Sequence, residues 1–228
     1  MSMIKYSLHI VLVFIFGCTQ AQNAIDQNLK KELDLILTSD QILREYIDSE
    51  TTEARKIQIQ QETGYSQDDL RRNVWGIMLE QDSLNIKKVE KIISIHGYPG
   101  KTLVGEPTNE AAWYVIQHSN QISKYFPLIQ EAANKNEIPF TRFAMMHDRL
   151  LTSQGKEQIY GTQGAMIKII NKETGKEEYF NYIPPIKNPE QVNELRKKVG
   201  FTNTVEENAR RMGIEYKVYT LEEINQMK

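Results

Sequence analysis

The chain has 228 residues, of which 40% are hydrophobic and 25% charged, enough apolar material for a folded domain and unlike a disordered chain. A net charge of −2 with no basic block argues against nucleic acid as the main partner, because phosphate binding needs a concentrated positive surface. One cysteine, Cys18, leaves no thiol for catalysis or zinc ligation in the folded part.

Lys5 precedes a nearly all-apolar run at residues 8–16 (LHIVLVFIF), too short to span a bilayer comfortably and laid out like a secretory h-region. Two cleavage readings compete. IFGC resembles a bacterial lipobox that would make Cys18 a lipid-bearing N-terminus, with Phe16 bulky for its place; Thr19 and Ala21 offer small residues at signal-peptidase spacing before Gln22. Residues 1–21 are expected to be a signal peptide of one type or the other. The mature chain is expected in the periplasm, or anchored to the membrane of a bacterial cell envelope through Cys18.

Residues 22–65 predict a helical N-terminal arm. Leu29, Leu33, Ile36 and Leu37 recur at helical spacing, Thr38 or Ser39 can cap a following helix, and Gly64 is a plausible stop. Ser66 and Asp69 have capping-box spacing, with Leu70, Val74, Ile77 and Met78 behind them. Another helix carries Ile86, Val89, Ile92 and Ile93 and closes at His96 and Gly97. The prolines and glycines of 98–107 predict a loop, followed by a helix from Thr108 or Asn109 and two more at 120–136 and 139–153.

Residues 165–170 and 178–183 flank KETGK and predict a β-hairpin, ended by Pro184 and Pro185. Two short helices follow, near 189–198 and 204–212. The expected fold is mainly α: a globular helical domain at 66–213 with one small β-hairpin, preceded by the helical N-terminal arm and followed by a tail at 214–228.

Five separated stretches, HGYPGKTLVGE, AAWYVIQHS, DRLL, YGTQ and VNELRKKVG, together resemble a bacterial family of unknown function over about residues 66–212. The positions that carry the resemblance are His96, Gly97, Pro99, Gly105, Trp113, Gln117, His118, Asp148, Arg149, Tyr160, Gly161, Thr162, Gln163 and Arg196. His147 departs from the pattern, so a mechanism needing three histidines has no support from it. The resemblance implies positions and no chemistry.

On helical spacing His118 shares a face with Ala111, Val115 and Ile122, which makes it either a core imidazole or part of a pocket with Gln117 and Trp113. His96, before Gly97, either caps a helix end or faces a ligand. Asp148 and Arg149 either clamp a loop or supply an orienting carboxylate and an anion-binding cation. Tyr160, Thr162 and Gln163 enter the hairpin from a loop in which Gly161 and Gly164 allow close approach of backbone. Arg196 could pair with an acid or an anion. His96, His118 and Asp148 form a ligand set that a metal could use, but nothing in their spacing requires one.

No GxSxG elbow, GxGxxG or P-loop is present, so no triad, dinucleotide or nucleotide site is supported and the cofactor is left open. These residues are expected to gather in one polar cluster. The leading function is a cell-envelope protein that binds a small polar molecule, peptide or glycan fragment at that cluster. The alternative is a hydrolase-type enzyme with His96 or His118 as general base, with or without a metal ion, and Asp148 orienting it; a purely structural cluster is the third reading.

Overall fold

The computed structural model describes residues 24–171 and 174–227; the stretch expected to be a signal peptide, with Cys18, lies outside the described residues. Helix α1, Gln27–Ile47, starts on Asp26, whose carboxylate accepts the N–H groups of Asn28 and Leu29. Thr38 and Ser39 cap nothing. The helix runs through them because its buried stripe continues from Leu29, Leu33 and Ile36 to Asp40 and Leu43. α2, Glu53–Thr63, is capped by Thr52 and ends at Gly64, whose φ of 76° suits glycine.

α3, Gln67–His96, opens with the Ser66–Asp69 capping box and closes on Gly97. Two helices were expected here and one is found. Its only interruption is Asn73, with φ −147°, and the buried positions Leu70, Met78, Asn85, Val89 and Ile92 carry one stripe past it. A short α4, Lys101–Val104, lies within the expected loop, and one 3₁₀ turn leads into α5, Ala111–Gln117. α6, Ile122–Asn134, and α7, Phe140–Ser153, pack side by side.

The main core joins α1, α3, α5, α6 and α7 through Leu33, Val89, Trp113, Ile116, Ile129 and Phe143. The N-terminal arm is therefore folded against the domain, with α1 lying across α3 and α5. Its far end, with α2 and the start of α3, makes a smaller cluster of Leu43, Ile59, Leu70 and Met78.

Strands β1, Ala165–Ile170, and β2, Glu177–Tyr182, pair antiparallel with Ala165 opposite Tyr182 and Ile170 opposite Glu177. α8, Val192–Lys198, and α9, Val205–Arg211, follow, and α10, Leu221–Met227, lies in the stretch expected to be a tail, with Ile224 buried. A separate cluster of Ile183, Ile186, Val192, Val205, Ala209 and Ile214 holds this C-terminal part together. Among the described residues no helix is long and apolar enough to cross a membrane.

Candidate functional site

His118 is the C-cap of α5, where the chain leaves helical geometry before α6. Its Nδ1 lies 3.0 Å from Oδ2 and 3.2 Å from Oδ1 of Asp40. Asp40 stands on the buried stripe of α1 and is itself fully enclosed. Gln41 donates to Oδ2 of the same carboxylate at 2.5 Å. Arg44, one turn on, bonds the Asp40 carbonyl and sets two guanidinium contacts of 2.9 and 2.7 Å on Asp82 of α3. A chain of imidazole, carboxylate, guanidinium and carboxylate thus ties α5, α1 and α3 together. Ser39, Gln81 and Asn85 make a separate set of neutral hydrogen bonds between α1 and α3.

This arrangement fixes the imidazole. A carboxylate facing Nδ1 accepts the proton there and leaves Nε2 as the basic nitrogen, on a side chain that keeps 20% of its surface exposed. Asp40, Asp82 and His118 also place one ligand atom each within 4.8 Å of one another. Arg44 already stands between the two carboxylates, so a divalent ion would have to displace a guanidinium that compensates both. The metal set read from the sequence, His96 with His118 and Asp148, is not brought together.

His96 ends α3, and the rise of a helix puts it about 21 Å along the axis from Asp82, too far for both histidines to hold one small ligand. It is exposed at the rim of a hollow of about 410 Å³ shared with Tyr98, Leu128, Glu131 and Glu137. Trp113 is buried in the main core, its indole N–H given to the Arg142 carbonyl at 2.8 Å, so it lines no pocket. Gln117 is half-buried beside His118.

Asp148 is fully buried and belongs to a different place. Oδ1 accepts the N–H of Ile159 at 2.8 Å and of Tyr160 at 3.1 Å, and Oδ2 accepts the N–H and hydroxyl of Thr162, both at 3.0 Å. Burial pushes this carboxyl above the usual aspartate range, and those donors pull it part of the way back. It clamps residues 159–162 to α7 and orients no histidine. Gly161 is what lets that loop lie flat: its φ is +62°, and a Cβ there would meet Val205 at 2.6 Å and Ile186 at 2.7 Å.

Arg196 completes the clamp from the other side. It is buried, donates to the Tyr160 carbonyl at 2.8 Å and to Asn203 through Nε and Nη2, and stacks over Phe201. Burial lowers its pKa. Each guanidinium nitrogen makes one hydrogen bond within the protein, which commits this buried side chain to holding the loop. Tyr160 is half-buried, its hydroxyl pushed up by burial and by the Asp148 charge.

Arg149 points elsewhere from its neighbour, as successive helical residues do. With Met145, Thr162, Gln163, Asn181 and Arg211 it lines a cleft of about 540 Å³ between α7, the start of the hairpin and the end of α9. Gln163 is held there by donating Nε2 to the Met145 carbonyl at 3.3 Å and to Thr162 Oγ1 at 3.0 Å. The expected single cluster is therefore divided: His118 sits with Asp40 of α1, Arg149 and Gln163 line a cleft, Asp148 and Arg196 clamp the loop at Tyr160, and His96 stands apart at the end of α3.

A family model matches residues 28–220, nearly the whole described chain. The chain belongs to DUF6624, a family of unknown function. The DUF6624 match reaches well beyond the 66–212 stretch that carries the resemblance and includes α1, hence Asp40 and Arg44. No curated protein and no solved structure matches the chain. The residues missed in sequence, Asp40, Arg44 and Asp82, did leave a signal: an aspartate on the apolar stripe of a helix, four residues before an arginine.

Proposed function

We propose that this DUF6624 chain is an exported cell-envelope protein that binds a small polar ligand in the cleft beside Arg149. The observation that carries the reading is the state of that side chain. Arg149 is half-buried, and among the described residues its guanidinium has no hydrogen-bond or ion-pair partner. Buried polar groups are nearly always satisfied, and a desolvated cation without a partner is costly to fold around. The cleft is within the size range of small-molecule sites and mixes apolar walls with a few fixed polar groups.

The hydrophobic run at residues 8–16 supports export. Three methionines of the cleft, Met145, Met166 and Met212, are natural reporters. Titration of protein labelled at the methionine methyl carbons with trialanine, N-acetylglucosamine and free amino acids should move those three signals together. If none of these, nor any anionic probe, moves them, the binding reading falls.

A second reading rests on Asp40. A carboxylate-oriented imidazole with a free Nε2 is the arrangement of a general base. Comparing hydrolysis of nitrophenyl esters and phosphates by the protein and by His118→Gln tests it; equal rates would remove it.

A further inference from the structure

From the charge around the cleft we infer that its ligand is an organic anion, a carboxylate or phosphate on an apolar stem, gripped by Arg149 with Arg211 and packed against methionine side chains. The inference rests on the cleft being the ligand site, as proposed above, and adds the chemical class.

Five arginines are buried or half-buried: Arg44, Arg55, Arg142, Arg149 and Arg196. Arg44 holds Asp82, Arg55 holds Glu45 and Glu62, and Arg142 holds Glu110 at 2.6 Å with Tyr114. Arg196 spends its donors on Tyr160 and Asn203. Of these five, only Arg149 keeps all five guanidinium protons unassigned. Burial pushes its pKa down, and no carboxylate lies near enough to raise it again.

The surroundings deepen the deficit. No aspartate or glutamate lines the cleft. The nearest acid in sequence, Asp148, is consumed by the loop it clamps. A second cation, Arg211, stands at the cleft with Asn208 as its hydrogen-bond partner at 3.2 Å, a neutral amide that leaves its charge uncompensated. Arg211 is exposed, and its planar fork, like that of Arg149, matches carboxylate and phosphate oxygens.

The rest of the lining is soft and apolar. Met145, Met166, Met212 and Ile214 supply it, and thioether side chains adapt to ligands of varied shape. Gly164 keeps the wall close: a Cβ there would meet Ile214 at 2.9 Å and the Met212 sulfur at 3.2 Å. A ligand that is charged at one end and greasy at the other matches both halves.

The test uses the full chain labelled at its methionine methyls and four probes: hexanoate, hexyl phosphate, hexanamide and inorganic phosphate. Hexanoate or hexyl phosphate should shift the Met145, Met166 and Met212 signals to saturation, and Arg149→Gln should weaken that binding about tenfold or more, the scale of one lost charge-assisted hydrogen bond. Saturation by hexanoate alone would assign a carboxylate, and by hexyl phosphate alone a phosphate. Hexanamide should bind weakly and equally to both proteins. Should Arg149→Gln unfold, Arg149→Lys keeps the charge without the fork and should still weaken the anions. Hexanamide binding as well as hexanoate, with no effect of either variant, overturns the anion and leaves the cleft as a binding site. Inorganic phosphate binding as well as hexyl phosphate overturns the apolar stem. If no probe, charged or neutral, moves the signals, the cleft reading itself fails.

Discussion

His118 Nδ1 lies 3.0 Å from Oδ2 of Asp40, a buried carboxylate 78 residues earlier in the chain, and this contact decides which imidazole nitrogen carries the proton. A free neutral histidine is under no such constraint. Here the carboxylate accepts from Nδ1 and so selects the tautomer with a bare Nε2. Nitrogen-15 correlation spectra of the neutral protein should show Nδ1 protonated, and Asp40→Ala should abolish that preference. An Nε2-protonated ring in the unaltered protein would remove the orienting role of Asp40, and the general-base reading with it.

The sequence made the helices legible where periodicity and caps agreed. The Ser66–Asp69 box, the stop at Gly64, the break at Pro139 and the hairpin around Gly175 are all local signals, and each is found in the structure. The joining of two expected helices into α3 was not legible, because a continuous stripe and a polar interruption look alike without tertiary contacts. The site divided for the same reason. Asp148 and the Tyr160–Gln163 segment are close in sequence and do meet, whereas the partner of His118 depends on how α1 crosses α5. Periodicity puts Asp40 on a buried face but cannot say what lies opposite.

Arg44 should be costly to remove. It is the cation between Asp40 and Asp82, and its side chain is 19% exposed against 0% and 14% for the acids. Arg44→Met keeps the stem but leaves two carboxylates facing each other with one enclosed. Urea unfolding should show a loss of about 3 kcal/mol, the scale for deleting one partner of a buried pair. A loss below about 1 kcal/mol would class the contact with surface pairs that contribute little.

Asp148→Asn tests the loop clamp. Both carboxylate oxygens accept N–H groups, Oδ1 from Ile159 and Oδ2 from Thr162. Whichever oxygen becomes an amide nitrogen would oppose a donor. A loss of about 2–4 kcal/mol is expected, with faster hydrogen exchange at the Thr162 amide. Retained protection there would mean that Arg196 alone holds the loop.

Gly161→Ala tests the same loop through its backbone. A left-handed φ disfavours alanine, and the added methyl would enter the space of Val205 and Ile186. These costs come from separate sources, so a melting temperature lower by several degrees, equivalent to about 2–3 kcal/mol, is expected. Gly155→Ala supplies the control: its φ is +68° with nothing near the added methyl, so it should show the backbone cost alone.

His147 should make stability depend on pH. Its ring packs against Phe126 at 5.1 Å and Phe143 at 5.5 Å, and burial pushes its pKa below the ordinary 6.5, with the Asp148 charge pulling weakly the other way. In the window between the lowered folded pKa and 6.5, the unfolded chain holds a proton that the folded chain rejects. Stability therefore rises with pH through that window, is complete above about 6.5, and is lost as the pH falls, by at most about 1.4 kcal/mol per pH unit. His147→Leu, apolar and of similar volume, should remove this slope and leave the stability at pH 8 nearly unchanged. Urea midpoints for both proteins at pH 8, 6 and 5 decide it: parallel curves would mean that His147 titrates alike in the folded and unfolded chain, and that its aromatic surroundings do not exclude the charged ring.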